Sequence, residues 1–442
     1  MNKKTGFLAG LFAFALAALP GAANAEAVLL VEAATGKVLH AENATYPWHP
    51  ASITKLMTAY TALSFVRDGK ATLNTLLPMT ENAAAQQPTK MGFKVGTQIT
   101  LDNALKMIMV KSANDVSVAI AEGIGGSVEG FAEMMNANSR KLGMMQSNWV
   151  NPNGLPEEAQ RTSARDMAIL ARALIREFPQ YGSYWSIPSM RYGHRVYRNY
   201  NALIGRYPGA DGMKTGFICA SGFNLVATAS RDGRRLIAIV LGSYSSAVRA
   251  QKAAQLLESG FNSGSLSWLT PALGTVEQLK PIEASPPNLK DEMCGPHRRK
   301  PPSEENDEEQ VATGDGTEQQ PNYRISALKA AEKFVLGPPL VQAEPIIVFT
   351  GPPDNPDKVE TPVAAKKAKR KAVAKKKDDG APKEAASTDA AASKEPAKKQ
   401  AAAPKKPAVK KDASATAAPA VPAAPKKPAP KKDKAAAAAP AQ

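Results

Sequence analysis

The sequence has few of the residues from which metal centres and redox sites are built. It contains only two cysteines, Cys219 and Cys294, and only four histidines in 442 residues. The C-x-x-C spacing of zinc modules and dithiol redox motifs is therefore absent. None of the histidines falls into a metal-like pair. We expect no metal ion and no other cofactor.

The sequence also lacks a long hydrophobic run beyond its N-terminus. Lys3 and Lys4 precede an apolar run from Gly6 to Leu19, which is too short to span a bilayer as a helix. Ala23-Asn24-Ala25 then places small residues where a signal peptidase cuts. The sequence predicts a signal peptide over residues 1–25. We expect an exported protein of the periplasm or cell envelope, bound peripherally rather than spanning the membrane.

The sequence has little net positive charge outside one segment. Residues 361–442 hold 21 Lys and Arg against 7 Asp and Glu, so they carry +14 of the formal net charge of +16. Their Lys/Ala/Pro composition predicts a disordered basic tail, because it cannot bury enough apolar surface to offset the entropy of ordering. The rest of the chain is nearly neutral, so no nucleic acid is expected as a partner. Residues 263–360, with a Pro- and acid-rich stretch at 281–322, predict a largely disordered linker.

Residues 26–262 have the pattern of one α/β domain. Residues 27–41 predict a hairpin, and helical periodicity begins at Ser52 and recurs to about residue 174. Three short strands follow between residues 213 and 241, and a last helix is predicted from Ala247 to Leu257. This order predicts an antiparallel sheet that both ends of the domain complete, flanked by helices and carrying a helical lobe.

Three short motifs inside this domain carry the chemistry. They are, in chain order, Ser52-Ile53-Thr54-Lys55, Ser112-Ala113-Asn114 and Lys214-Thr215-Gly216. Ser52 and Lys55 are three residues apart and so share one face of a helix. A serine hydroxyl needs an adjacent base to become a nucleophile, and a lysine can be that base when burial or a second cation lowers its pKa. Lys214 is the candidate second cation.

Two further features of the sequence limit this interpretation. Ser326 and Lys329 repeat the first motif inside the predicted linker, and we assign them no role. No G-x-S-x-G nucleophile elbow is present, which argues against an α/β-hydrolase.

The chain resembles the D-alanyl-D-alanine carboxypeptidases of the low-molecular-mass penicillin-binding protein family. The resemblance spans about residues 26–262 and includes segments around the motifs, namely His49–Thr58, Asn151–Pro156, Asp211–Gly216 and Ala220–Leu225. It implies a fold like that of serine β-lactamases and penicillin-binding transpeptidases. After residue 262 the pattern departs from the family, because no strand-rich second domain is predicted. The basic tail is then the candidate attachment to an anionic envelope surface, or else a solubilising segment.

The resemblance also implies a role for each motif residue. Ser52 would be the nucleophile, Lys55 would accept its proton, and Ser112 would relay a proton to the leaving amine. The backbone N–H groups of Ser52 and Phe217 would form the oxyanion hole. The implied substrate-binding residues are Asn114, Lys214, Thr215, Gly216, Phe217 and Arg249.

The activity that the resemblance implies is removal of the terminal D-alanine from peptidoglycan stem pentapeptides. β-Lactams would acylate the same serine. A D,D-endopeptidase and a class A-like β-lactamase are the alternatives, although Glu133-Met134-Met135-Asn136 only partly resembles the lactamase E-x-x-L-N segment. A polycationic binding protein with an inactive domain is a third. Cys219 is expected to fill the sheet as a small residue, and its pairing with Cys294 stays open.

Overall fold

A five-stranded antiparallel sheet forms the centre of the protein. The computed structural model describes residues 26–263, 273–296, 336–337 and 343–356. The strands of this sheet are β1 (Ala27–Glu32), β2 (Val38–Glu42), β7 (Ala210–Ile218), β8 (Gly222–Arg231) and β9 (Arg234–Ser243). Their order in the sheet is β2-β1-β9-β8-β7. The hairpin from the start of the domain pairs through β1 with β9, the last strand of the meander. Both ends of the domain therefore contribute strands to the sheet, as the sequence predicts.

Helices cover both faces of this sheet. The helices of the domain are α1 (Lys55–Arg67), α2 (Glu81–Ala85), α3 (Leu101–Val110), α4 (Asn114–Gly125), α5 (Val128–Leu142), α6 (Ala164–Glu177) and α7 (Ser246–Asn262). Of these, α6 and α7 pack directly on the strands of the sheet. Alternate residues of β1 enter two separate cores: Leu29 and Val31 pack into the core that includes α1 and α6, whereas Val28 and Leu30 pack against α7. The strand therefore has apolar residues on both sides, which explains its continuous hydrophobic run.

The helical lobe contains two smaller sheets. A hairpin of β5 (Ser189–Tyr192) and β6 (Arg195–Arg198) precedes β7, and β3 (Leu76–Pro78) pairs with β4 (Gln98–Thr100). Ser or Thr side chains accept a hydrogen bond from the first turn of five helices, at Thr80, Thr100, Ser127, Ser163 and Ser245. The Ser163 side chain, for example, accepts a hydrogen bond from the backbone N–H of Asp166 at the start of α6.

Helix α1, which begins at Lys55, is anchored at its far end to α6. The Tyr60 hydroxyl donates a hydrogen bond to Glu177 at 2.8 Å, and Arg67 binds the same carboxylate at 3.0 Å. Burial, followed by the hydrogen bond to Glu177, raises the pKa of Tyr60 to about 12. The phenol therefore stays protonated, and remains a donor, throughout the neutral pH range.

Two segments beyond residue 262 pack on the domain, inside the range 263–360 for which the sequence predicts a largely disordered linker. Apart from these two segments and residues 263, 336 and 337, that range lies outside the described residues. Residues 273–296, which we call the strap, contain a 3₁₀ helix (Val276–Gln278) and α8 (Lys290–Cys294). Residues 343–356 contribute β10 (Ile346–Ile347), which pairs in parallel with β5. Average composition predicts disorder here, but a few apolar side chains, such as Val276, Met293 and Val348, are buried.

The two cysteines form a disulfide with a Cα–Cα distance of 5.7 Å, so neither is a free thiol. This corrects the expectation that Cys219 only fills the sheet: it follows β7 directly and joins that strand to α8 of the strap. The predicted signal peptide, the second S-x-x-K match at Ser326 and Lys329, and the basic tail lie outside the described residues. None of the helices that the structure does describe has the length and apolar composition needed to cross a bilayer.

Candidate active site

Ser52 and Lys55 lie on a tight turn rather than on one continuous α-helix. Residues Ala51–Thr54 form a 3₁₀ helix, and α1 begins at Lys55. Side chains three residues apart are eclipsed in a 3₁₀ helix, which aligns the two groups. Lys55 Nζ donates a hydrogen bond to Ser52 Oγ at 2.9 Å. Ala51, immediately before the serine, has a φ of +50°, a conformation that costs a non-glycine residue energy and is found at functional sites.

Lys55 is completely buried and is held by three elements. Besides Ser52, its amine contacts Asn114 Oδ1 at 2.7 Å and the backbone oxygen of Asn153 at 2.6 Å. Asn114 is the first residue of α4, and Asn153 lies in the loop before α6. The S-x-N motif marks Asn114 as a candidate site residue, but the sequence does not predict its contact with Lys55. It does not predict Asn153, although the surrounding Asn-Pro-Asn-Gly segment is part of the family resemblance.

Ser112 lies in the short connection between α3 and α4 with a φ of +60°. Its hydroxyl is buried and has no hydrogen-bond partner among the residues that the structure describes. The backbone around it is fixed, because Ser112 O accepts from Thr89 Oγ1 at 2.9 Å and Asn114 N–H donates to Thr89 O at 2.8 Å. A buried hydroxyl without a partner, held by a rigid backbone, is suited to bind a group that enters from outside.

Strand β7 brings the third motif against the nucleophile turn. Lys214 and Thr215 are both buried; Lys214 Nζ contacts Thr215 O at 3.0 Å, and Thr215 Oγ1 has no partner within the described ranges. A Cβ on Gly216 would lie 2.8 Å from Ser52 N, so only glycine allows this approach. The next residue, Phe217, packs on Phe223 with ring centroids 4.3 Å apart. The two backbone N–H groups predicted for the oxyanion hole are thus on adjoining segments.

Asn224 is a buried positioning residue that the sequence does not identify individually. Its amide nitrogen donates to His49 O at 3.0 Å and Pro50 O at 3.2 Å, and its amide oxygen accepts from Gly242 N at 3.1 Å. It therefore links β8 and β9 to the turn that carries Ser52. The sequence signal for Asn224 is its place in the Ala220–Leu225 segment, which is part of the family resemblance.

Arg249, the further cation expected to reach the substrate, lies on α7 and is almost fully buried. Its Nη1 donates to Asn224 O at 3.1 Å, and its guanidinium lies 5.5 Å from the Phe223 ring centroid. These contacts make it a neighbour of the β8 segment that supports the nucleophile turn. Its contact with substrate stays a prediction.

No cluster of three or more His, Cys, Asp or Glu side chains suited to a metal ion is found among the described residues.

Comparison with known proteins agrees with this geometry. The family model described as D-alanyl-D-alanine carboxypeptidase, peptidase family S11, matches residues 15–245, which is more than half of the chain. The chain belongs to the D-alanyl-D-alanine carboxypeptidase family. Its three motifs all fall within the matched residues.

Two curated relatives illustrate the range within this S11 family. The D-alanyl-D-alanine carboxypeptidase DacF of Bacillus subtilis is 34% identical over 250 residues, which cover 54% of this chain and 62% of the relative. A D-alanyl-D-alanine endopeptidase of Pseudomonas aeruginosa is 30% identical over 243 residues, covering 52% of this chain and 76% of the relative. The chain thus spans about three fifths of the length of the carboxypeptidase.

Among solved structures, penicillin-binding protein 5 of Haemophilus influenzae is similar at a TM-score of 0.52 and 32% identity. The match covers 53% of this chain and 70% of that protein. The fold of the S11 domain is therefore the one that the sequence predicts.

Proposed function

We propose that this protein is a serine-type D-alanyl-D-alanine carboxypeptidase that removes the terminal D-alanine from peptidoglycan stem pentapeptides. The observation that carries the proposal is the 2.9 Å contact between the buried Lys55 amine and Ser52 Oγ. A serine hydroxyl in contact with a buried lysine amine is the arrangement that acyl transfer by a Ser–Lys pair requires.

The chemistry follows from the positions of the groups. Ser52 Oγ attacks the carbonyl carbon of the penultimate D-alanine while Lys55 takes the hydroxyl proton. The backbone N–H groups of Ser52 and Phe217 stabilise the developing oxyanion. The C–N bond then breaks, and Ser112 passes a proton to the leaving amine of the terminal D-alanine. Water attacks the resulting ester, releasing the shortened peptide and regenerating the Ser52 hydroxyl.

The substrate carboxylate fits two buried groups of β7. Lys214 provides a positive charge on β7, and the hydroxyl of Thr215 has no described partner in the free protein. A terminal carboxylate between these groups would form charge-assisted hydrogen bonds, which are stronger than neutral ones. Penicillins carry a carboxylate in a comparable position, so we propose that they acylate Ser52 as well.

A D,D-endopeptidase is the second candidate, because the same residues would cut a cross-link and one relative in the S11 family carries that name. We also propose that residues 26–262 are the catalytic domain, that residues 1–25 direct export, and that the mature protein acts in the periplasm or cell envelope. Under this proposal the basic tail contacts an anionic envelope surface.

Two measurements test the activity. Fluorescent penicillin should label the full-length protein covalently, and labelling should vanish in Ser52→Ala but persist in the matched control Ser326→Ala. Mass spectrometry of muropeptides should show loss of one D-alanine from uncross-linked pentapeptides. Labelling that survives Ser52→Ala would remove this serine from the site. Products from cross-linked muropeptides alone would favour the endopeptidase.

A further inference from the structure

The strap, residues 273–296, crosses the domain between two separate anchors. At its first anchor, Val276 N–H donates to Gly36 O and Gly274 O accepts from Val38 N–H, each at 2.9 Å. Glu277 forms an ion pair with Arg172 of α6. These contacts hold the strap to the β1–β2 turn and α6. None of the residues named in this first anchor belongs to the three motifs.

The second anchor is the turn between β7 and β8, residues 219–221. Cys294 of the strap is bonded to Cys219, and Leu289 N–H donates to Ala220 O at 3.0 Å. Met293 is buried, and its methyl carbon would lie 3.1 Å from a Cβ on Gly222. A covalent bond, a backbone hydrogen bond and an apolar contact therefore hold Cys219 and Ala220 of the turn and the adjoining Gly222.

The same turn also contacts the segment that carries the nucleophile. Trp48 Nε1 donates to Ser221 O at 3.0 Å, and Trp48 is four residues before Ser52. On β7, Gly216 lies against Ser52 N, three residues before Cys219. The turn is thus fixed between the strap and the segment that carries the nucleophile. Ala220 O accepts a hydrogen bond from the strap, and Ser221 O accepts one from Trp48.

We propose that the strap is a positioning element of the active site, with Cys219 and Cys294 as its positioning residues. The disulfide and the Leu289–Ala220 hydrogen bond hold the β7–β8 turn, and through it Gly216 and Phe217, in register with Ser52. The oxyanion hole then depends on a segment that lies outside the predicted catalytic domain. This inference rests on the proposed acyl transfer at Ser52.

Under this proposal, the activity depends on whether the Cys219–Cys294 pair is oxidised or reduced. The disulfide is compatible with an exported protein, because disulfides persist in oxidising compartments. Reduction breaks the covalent part of the second anchor and leaves the Leu289–Ala220 hydrogen bond and the Met293 contact to hold the strap to the β7–β8 turn. A small displacement of a catalytic group is sufficient to slow a reaction strongly.

A disulfide also stabilises a protein simply by restricting the unfolded chain, so the experiment has to separate stability from positioning. The test variant is Cys219→Ser combined with Cys294→Ser, which leaves no free thiol. The matched control is Val276→Ala, which removes buried methyl groups from the first anchor only. Both are made in the full-length protein and studied well below their melting temperatures.

Acylation by penicillin and hydrogen exchange of the backbone amides of residues 216–223 are measured on both variants. We expect the double-serine variant to be acylated on the order of tenfold more slowly, with faster exchange in residues 216–223. Val276→Ala should melt at a lower temperature but keep wild-type acylation and exchange in these residues. Reduction of the wild type should reproduce the double-serine result, and reoxidation should reverse it.

Wild-type acylation and exchange in the double-serine variant would overturn the proposal, as would equal slowing in Val276→Ala. Absence of acylation in the wild type would instead contradict the proposed function. The exchange measurement still decides in that case whether the strap positions the turn, because it requires no activity.

Discussion

At the scale of single residues, the site is organised around one buried amine. Lys55 has no exposed surface and contacts groups from three separate parts of the chain: Ser52, Asn114 and the backbone of Asn153. Ser112 and Ala51, next to this centre, both have left-handed backbone angles. Such conformations cost roughly 1–3 kcal/mol each and persist when the surrounding structure determines them. The site is therefore built from strained residues that many hydrogen bonds hold in place.

Lys214→Ala tests the role of the second lysine. The variant should lose a charge-assisted contact with the substrate carboxylate, which is worth about 1.5–3 kcal/mol of transition-state stabilisation and corresponds to more than tenfold in rate. Carboxypeptidase turnover and penicillin acylation should fall together, because both ligands carry a carboxylate. The matched control is Lys106→Ala, since that lysine pairs with Asp102 on α3. Unchanged kinetics in a folded Lys214→Ala protein would exclude Lys214 from the site.

At the scale of elements, the loop before α6 determines where Asn153 lies. Gln160 is buried; it accepts hydrogen bonds from Val150 N and Asn151 N and donates to Thr54 Oγ1. Gly154 has a φ of +84°, and a Cβ there would lie 1.9 Å from Ala51 O. The loop is therefore packed directly on the turn that carries Ser52.

Gly154→Ala should displace this loop or the nucleophile turn. We expect acylation of Ser52 to slow on the order of 100-fold, because a shift of about 1 Å at a reacting group has an effect of that size. Gly126→Ala is the matched control: its φ is +77°, but nothing lies within 4 Å of the added methyl group. The control carries the backbone strain without the clash. Equal acylation rates in the two variants would show that the loop is not coupled to Ser52.

Elements that depend on local sequence patterns are predicted from the sequence, whereas contacts between distant segments are not. Periodicity and motif spacing predict β1, β2, the β7–β9 meander and the position of Lys55 beside Ser52, because these depend on local patterns. The contacts of Asn153 and Asn224 depend on loops that meet only after folding. The strap is missed for a related reason: its anchors are isolated residues such as Leu289 in a Pro-rich segment, and their partners lie far away in the chain.

At the scale of the whole molecule, the net positive charge and the candidate active site belong to different parts of the chain. The three motifs and the strap lie before residue 297, whereas +14 of the net charge of +16 belongs to residues 361–442. The described segment 343–356 contacts the domain through β10 and through Gly351 N–H, which donates to Gln98 O at 2.8 Å. A truncation after residue 360 therefore keeps every described contact, including the disulfide.

Deleting residues 361–442 should leave hydrolysis of a small soluble peptide nearly unchanged, because the deletion removes no residue of the candidate site. The same deletion should weaken co-sedimentation with isolated cell walls or anionic vesicles, since each Lys or Arg near an anionic surface contributes on the order of 1 kcal/mol. Binding of the full-length protein should fall steeply as salt is added, because exposed charges are screened beyond about 8 Å at physiological ionic strength. A salt series with both forms checks this. Equal sedimentation at low salt would make the tail a spacer or solubilising segment and would leave any attachment to the envelope with residues before 361.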